Sequence, residues 1–129
     1  MKKKIVSEFE VNSSQRLLYP YISTPGGLAQ WFADDVSVLS GKQLKFLIDG
    51  EEVLGKIVAS RFNESIRIEY DDTETEEGVD YTNISLEVND LTGTLYVVAT
   101  DFTDFFTSDE EHYEMWEGMV DALKNIIGS

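Results

Sequence analysis

The sequence predicts an α+β domain: one curved antiparallel sheet of about seven strands, closed by a single long C-terminal helix. Three observations predict it. Ser108 to Gly128 is the only long stretch with helical periodicity, and its apolar residues Tyr113, Trp116, Val120, Leu123 and Ile127 recur at spacings of three and four. From Val36 to Asp101 the pattern becomes apolar alternation broken by turn residues, as in strands joined by hairpins. Between Val11 and Val36 lie only two short helical stretches. The last helix alone is long enough to cover the apolar face of such a meander.

The elements follow in order. Lys3 to Val11 alternates around Ile5, Phe9 and Val11 and reads as a first strand ending at Asn12-Ser13-Ser14. Asn12 or Ser13 is expected to cap a short helix that Pro20 ends or kinks, since proline lacks an N–H and clashes with the preceding turn. Thr24-Pro25 starts a second short helix, with a capping hydroxyl before a proline at the first helical position and Leu28, Trp31 and Phe32 on its apolar face. Val36 and Val38 precede the Ser40-Gly41 turn, and Leu44, Phe46 and Ile48 lead into Asp49-Gly50, a strong hairpin signal. Strands then run over Val53–Phe62, Ile66–Tyr70, Tyr81–Val88 and Thr94–Thr100, with an acidic loop from Asp71 to Asp80.

The closing helix is well specified. Ser108 with Glu111 forms a capping box, acids fill the first turn, Lys124 lies in the last, and Gly128 supplies the left-handed stop. Gly118, in mid-helix, costs about 0.8–1 kcal/mol relative to alanine, so it marks either a close approach or needed space, or else a tolerated surface glycine.

Composition narrows the function. At 129 residues, 42% of them hydrophobic, the chain is expected to be one globular domain rather than disordered. No apolar run approaches the roughly 20 residues of a membrane span. Met1-Lys2-Lys3-Lys4 has the charge of a signal n-region, but Ser7, Glu8 and Glu10 interrupt what should be its apolar core, so a cytoplasmic location is expected. The absence of cysteine excludes disulfides and thiolate chemistry. A formal charge of −15 would repel a phosphate backbone, so no nucleic-acid partner is expected.

Candidate chemistry is sparse. No Gly-x-Ser-x-Gly elbow, phosphate loop or dinucleotide fingerprint is present, and no cofactor or metal is expected. His112, the only histidine, falls in the first turn of the helix and reads as solvated. Asp71 to Gly78 offers oxygen ligands without calcium-loop spacing and reads as a solvated hairpin tip. Asp101 differs: it ends an apolar strand and is placed at the mouth of any cavity, where burial would raise its proton affinity.

Three passages carry a family resemblance: Thr24-Pro25-Gly26-Gly27-Leu28-Ala29-Gln30-Trp31-Phe32, the stretch from Val38 through Gly41 to Phe46, and Tyr113 to Leu123 with its early aromatic and glycine. Together with the element order, they make the chain resemble the START-like superfamily, also called SRPBCC or Bet v 1-like. It looks closest to the small bacterial branch related to activators of the heat-shock ATPase. The resemblance implies a helix-grip fold, β-α-α-β6-α, over the whole chain. It also departs from that pattern, because Thr100 to Phe106 stands where many relatives have a histidine and glycine.

The resemblance implies a non-catalytic domain that holds a small apolar or amphipathic ligand between sheet and helix. Trp31, Phe32, Phe46, Ile57, Ile68, Tyr81, Leu86 and Val97 are its expected lining on one side, and Trp116, Met119, Val120 and Leu123 on the other. Asp101, Phe102, Phe105 and Phe106 are expected at the cavity mouth or in a contact patch. The alternatives are an interaction module of the ATPase-activator type, meeting a protein partner or forming a homodimer, and an enzyme of the cyclase or hydrolase kind. For the last, Asp101, Tyr81 and Arg67 are the only candidate groups, and no catalytic residue is assigned.

Overall fold

The computed structural model describes residues 1–129. In order the elements are β1 (Lys3–Val11), α1 (Gln15–Ser23), α2 (Pro25–Leu28), β2 (Asp35–Val38), β3 (Leu44–Ile48), β4 (Glu51–Arg61), β5 (Ser65–Tyr70), β6 (Tyr81–Val88), β7 (Leu95–Thr103) and α3 (Asp109–Ile127). The strands form one seven-stranded sheet in the order β1-β7-β6-β5-β4-β3-β2, every neighbouring pair antiparallel. This is the expected β-α-α-β6-α arrangement, in which the first strand pairs with the last.

Period-two alternation decides which face each strand buries. On β1, Ile5, Ser7, Phe9 and Val11 turn inward while Lys4, Val6, Glu8 and Glu10 face out. Asp49 and Gly50 both adopt positive φ, 52° and 80°, as a two-residue hairpin turn requires. A register shift between Ile57 and Ala59 bends β4. Twenty buried apolar residues drawn from the sheet and all three helices make one continuous core.

The first helix departs from expectation. Its cap is Ser14, whose hydroxyl accepts from the Leu17 N–H, and it continues through Pro20 to Ser23. An interior proline costs about 3 kcal/mol. Leu18 before it and Ile22 after it are fully buried, each contributing about 1.5–3 kcal/mol, and together they outweigh the break. The Pro20 carbonyl also accepts the Thr24 hydroxyl at 2.7 Å. Thr24 then caps the single turn of α2, with Pro25 opening it as expected. At Gly27 a Cβ would stand 2.1 Å from the Pro20 carbonyl oxygen, so only glycine lets α2 lie this close to α1.

On α3 the Ser108 hydroxyl accepts from the Glu111 N–H, and Gly128 ends the helix at φ 77°. The capping box is half formed, because the Glu111 carboxylate takes the Thr107 hydroxyl instead of reaching back to Ser108. Gly118 is exposed, with nothing within 4 Å of where its Cβ would be, so it is a surface glycine.

Candidate functional site

Where α3 starts, a chain of polar side chains is walled into the apolar interface between helix and sheet. Three elements build it. Strand β7 carries Asp101 inward, β6 places Thr82 directly across from it, and β1 brings Ser7 one inward position along from Ile5, which pairs with Asp101. Helix α3 lays His112 and, one turn later, Trp116 over them. The Asp101 carboxylate receives the His112 Nε2–H at 2.9 Å and the Trp116 Nε1–H at 2.8 Å on one oxygen, and the Thr82 hydroxyl on the other. Ser7 Oγ meets His112 Nδ1 at 2.7 Å, and the Tyr70 hydroxyl meets Thr82 Oγ1 at 2.6 Å.

With the carboxylate ionised, the pattern of donors is self-consistent: Tyr70 donates to Thr82, Thr82 to Asp101, and His112 and Trp116 to Asp101. Ser7 then donates to the remaining ring nitrogen of a neutral imidazole. His112 is 0% exposed and Asp101 6%. The expectation of a solvated histidine is therefore corrected. His112 lies four residues before Trp116, on the same helical stripe, whereas Tyr113 at 43% exposure lies at its margin against Phe9. Burial, and after it the nearby Asp101 charge, push the Tyr70 phenol well above the ordinary tyrosine range, against the opposing pull of the Thr82 hydrogen bond.

Ser7, His112 and Asp101 have the residue types of a nucleophilic triad. Here Nδ1 faces the serine and Nε2 the aspartate, the reverse of the serine-protease template, and Ser7 is 5% exposed. What the arrangement does is fix helix to sheet and hold a carboxylate inside an apolar interior. Tyr81 and Arg67 do not join Asp101. They lie on the opposite, outer face, with the Arg67 guanidinium 3.7 Å over the Tyr81 ring.

Beside the network sits a group of rings. Trp31, Phe32 and Trp116 are mutual neighbours at centroid distances of 5.6–6.3 Å, and Phe46 packs edge-on to Phe32 at 5.8 Å. Ile68, Leu86, Val97, Val120 and Leu123 are buried in the same core, with Ile57 and Met119 at its border. Eleven of the twelve expected lining residues thus converge on the interior. Tyr81 is the exception: Thr82, Ile84 and Leu86 face in, so odd-numbered Tyr81 must face out.

The expected mouth residues separate. Asp101 is interior, and Phe102 stacks on Tyr81 outside at 5.5 Å. Phe106 is buried edge-to-face on His112 at 4.9 Å, and Phe105 is 70% exposed. The concavities of about 540 and 340 Å³ open elsewhere, one at the C-terminal end of α3 and one on the outer face of the sheet.

The acidic loop is organised by a residue that sequence reasoning passed over. Lys2 is 8% exposed. Its ammonium donates to the carbonyls of Thr73 and Gly78 and pairs with Asp80 at 2.7 Å, while its N–H meets the Glu77 carboxylate. No short-range signal links residues so distant in sequence.

Comparison with known proteins gives the following. A family model described as a START-like superfamily domain matches residues 1–129. Among solved structures, a Bacteroides fragilis protein is 34% identical, with a TM-score of 0.62 over 98% of this chain and 91% of that one. The Aha1 dimer from Colwellia psychrerythraea is 20% identical, with a TM-score of 0.73 over 95% and 94%. A Staphylococcus saprophyticus protein is 19% identical, with a TM-score of 0.66 over 98% and 92%. The last two establish likeness of fold alone. No curated protein matches the sequence. No helix is long and apolar enough to cross a membrane.

Proposed function

The chain belongs to the START-like superfamily, and on that footing we propose that it is a non-catalytic binding module that takes one small amphipathic ligand between the sheet and α3. The observation that carries this reading is the buried Asp101–His112 network set against the Trp31, Phe32, Phe46 and Trp116 rings. A buried polar network adds little stability over a well-packed apolar core, and on this reading it has a second role, recognition, besides fixing α3 to the sheet. The apolar body of the ligand lies against the rings and its polar end exchanges hydrogen bonds with the network. The segment from Asp104 to Ser108 belongs to neither strand nor helix. Its Phe106 covers the His112 ring, and on this reading it is the side chain that has to move aside for the ligand.

Both tryptophans of the chain lie in this region, so their fluorescence reports on it directly. Titration with a panel of fatty acids, sterols and aromatic carboxylates should give, for at least one class, a saturable change in emission. Native mass spectrometry should then show a one-to-one adduct, and Phe106→Ala should speed its formation. Unchanged emission and no adduct across the panel would exclude this reading.

A second reading is association with a protein or with another copy. Apolar side chains stand exposed at Leu17 (59%), Phe62 (78%) and Phe105 (70%), and the Colwellia neighbour is a dimer. Light scattering after size exclusion, with Phe62→Ser and Phe105→Ser as controls, tests it. A monomer at all concentrations, with no salt-sensitive partner, removes its support.

A further inference from the structure

The outer face of the sheet carries a second concavity that the superfamily reading does not use. Strand register lays two rows of side chains across it. One runs Arg67–Asn83–Thr100, the other Arg61–Ser65–Ser85–Val98. Rows two residues apart on one face are separated by about 7 Å. The residues in the middle of the rows are short, and an arginine stands at one end of each. Together they form a trough of about 340 Å³. Its floor is deep for an outward face, with Val98 7% and Thr100 8% exposed.

The chemistry of the trough is specific. Ser65, Asn83, Ser85 and Thr100 point into it, and their side chains have no hydrogen-bond partner in the protein. Amide and hydroxyl groups donate and accept, Glu87 accepts only, and the arginines donate only, so the trough offers a mixed set. Tyr81 lies beyond one edge, its ring already taken up by Phe102 and by the Arg67 guanidinium 3.7 Å over it. Charge decides between ligand classes. Arg67 is paired with Glu69 at 3.2 Å and Arg61 with Glu64 at 3.7 Å. Glu87 adds another negative charge, so the trough does not concentrate anions.

We infer that this trough is a binding site for a neutral polyhydroxylated molecule of the saccharide class, seated on Asn83, Ser85 and Thr100. Hydroxyls that donate and accept match the mixed floor, and an uncharged ligand suits a trough whose arginines are already paired. The site is on the opposite face of the sheet from the Asp101 network.

The test is amide chemical-shift titration of the intact protein with glucose, galactose, maltose, cellobiose and N-acetylglucosamine at millimolar concentrations, with inorganic phosphate alongside. At least one sugar should shift outward-facing residues of β5, β6 and β7 saturably, leaving the amide of His112 unmoved. Asn83→Ala should weaken that binding about tenfold, the loss of a hydrogen bond or two. Ser85→Tyr, which fills the floor from the solvent side, should abolish it with the remaining spectrum unchanged. Absence of a saturable response to every sugar overturns the inference. So does an equal response to phosphate, which would mark an anion site, or indifference to both substitutions.

Discussion

At the residue scale, the buried network shows how one unpaired-looking position becomes legible only in three dimensions. Asp101 stood out in the sequence because a carboxylate at the end of an apolar strand is expensive to bury. Its partner His112 was missed, although its place four residues ahead of Trp116 was a usable signal. Ser7 and Thr82 were silent, because a hydroxyl on a strand says nothing of its face until register is known. Tyr70 provides the prediction at this scale. Its folded phenol is pushed upward, first by burial and then by Asp101. Above pH about 10 the unfolded tyrosine ionises while the folded one keeps its proton. The native state then holds more protons than the unfolded state, so the contribution of Tyr70 is complete below that pH and is lost as pH rises further. Urea midpoints should fall between pH 9 and 11, and should fall less in Tyr70→Phe, even though that variant starts about 1 kcal/mol lower for want of its hydrogen bond. An identical alkaline loss in both proteins would contradict the assignment.

At the element scale, periodicity was a good guide to existence and a poor one to limits. Strand alternation and the Asp49-Gly50 turn placed the hairpins, because those signals are local. Pro20 misled, because the cost of a proline is local while the burial of Leu18 and Ile22 that offsets it is tertiary. Two of the helical glycines, Gly118 and Gly27, make opposite predictions from their surroundings. Gly118→Ala meets open space and should stabilise by about 0.8–1 kcal/mol, the helix-propensity difference. Gly27→Ala drives a methyl into the backbone at Pro20 and Tyr21 and should cost about 1–3 kcal/mol as overpacking. Thermal denaturation of the pair checks both signs, and a shift in the same direction for both would contradict the packing described here.

At the scale of the whole molecule, the resemblance to a known superfamily carried the architecture, while the net charge of −15 hid a buried cation that organises the acidic loop. Lys2 clasps the acidic loop by its carbonyls and by Asp80, so Lys2→Met should strip the Thr73 carbonyl of its donor and leave the Gly78 carbonyl only the Thr75 N–H and Asp80 only the Thr103 hydroxyl. Hydrogen exchange should then accelerate at Tyr70 and Gly78, whose N–H groups are bonded within the loop to Asp80 and Thr75, with the β1–β7 amides unaffected. Exchange that stays slow at both sites would mean the loop holds its own shape. The pairing of β1 with β7, closed by the Ser7–His112 bond across 105 residues, has a consequence for how the chain comes into being. During synthesis the first strand leaves the ribosome long before its partner exists, and the helix that seals it follows the whole sheet. Until then Phe9 and Val11 have neither the strand beside them nor the helix above them, so the sheet must wait for α3 before its core can close.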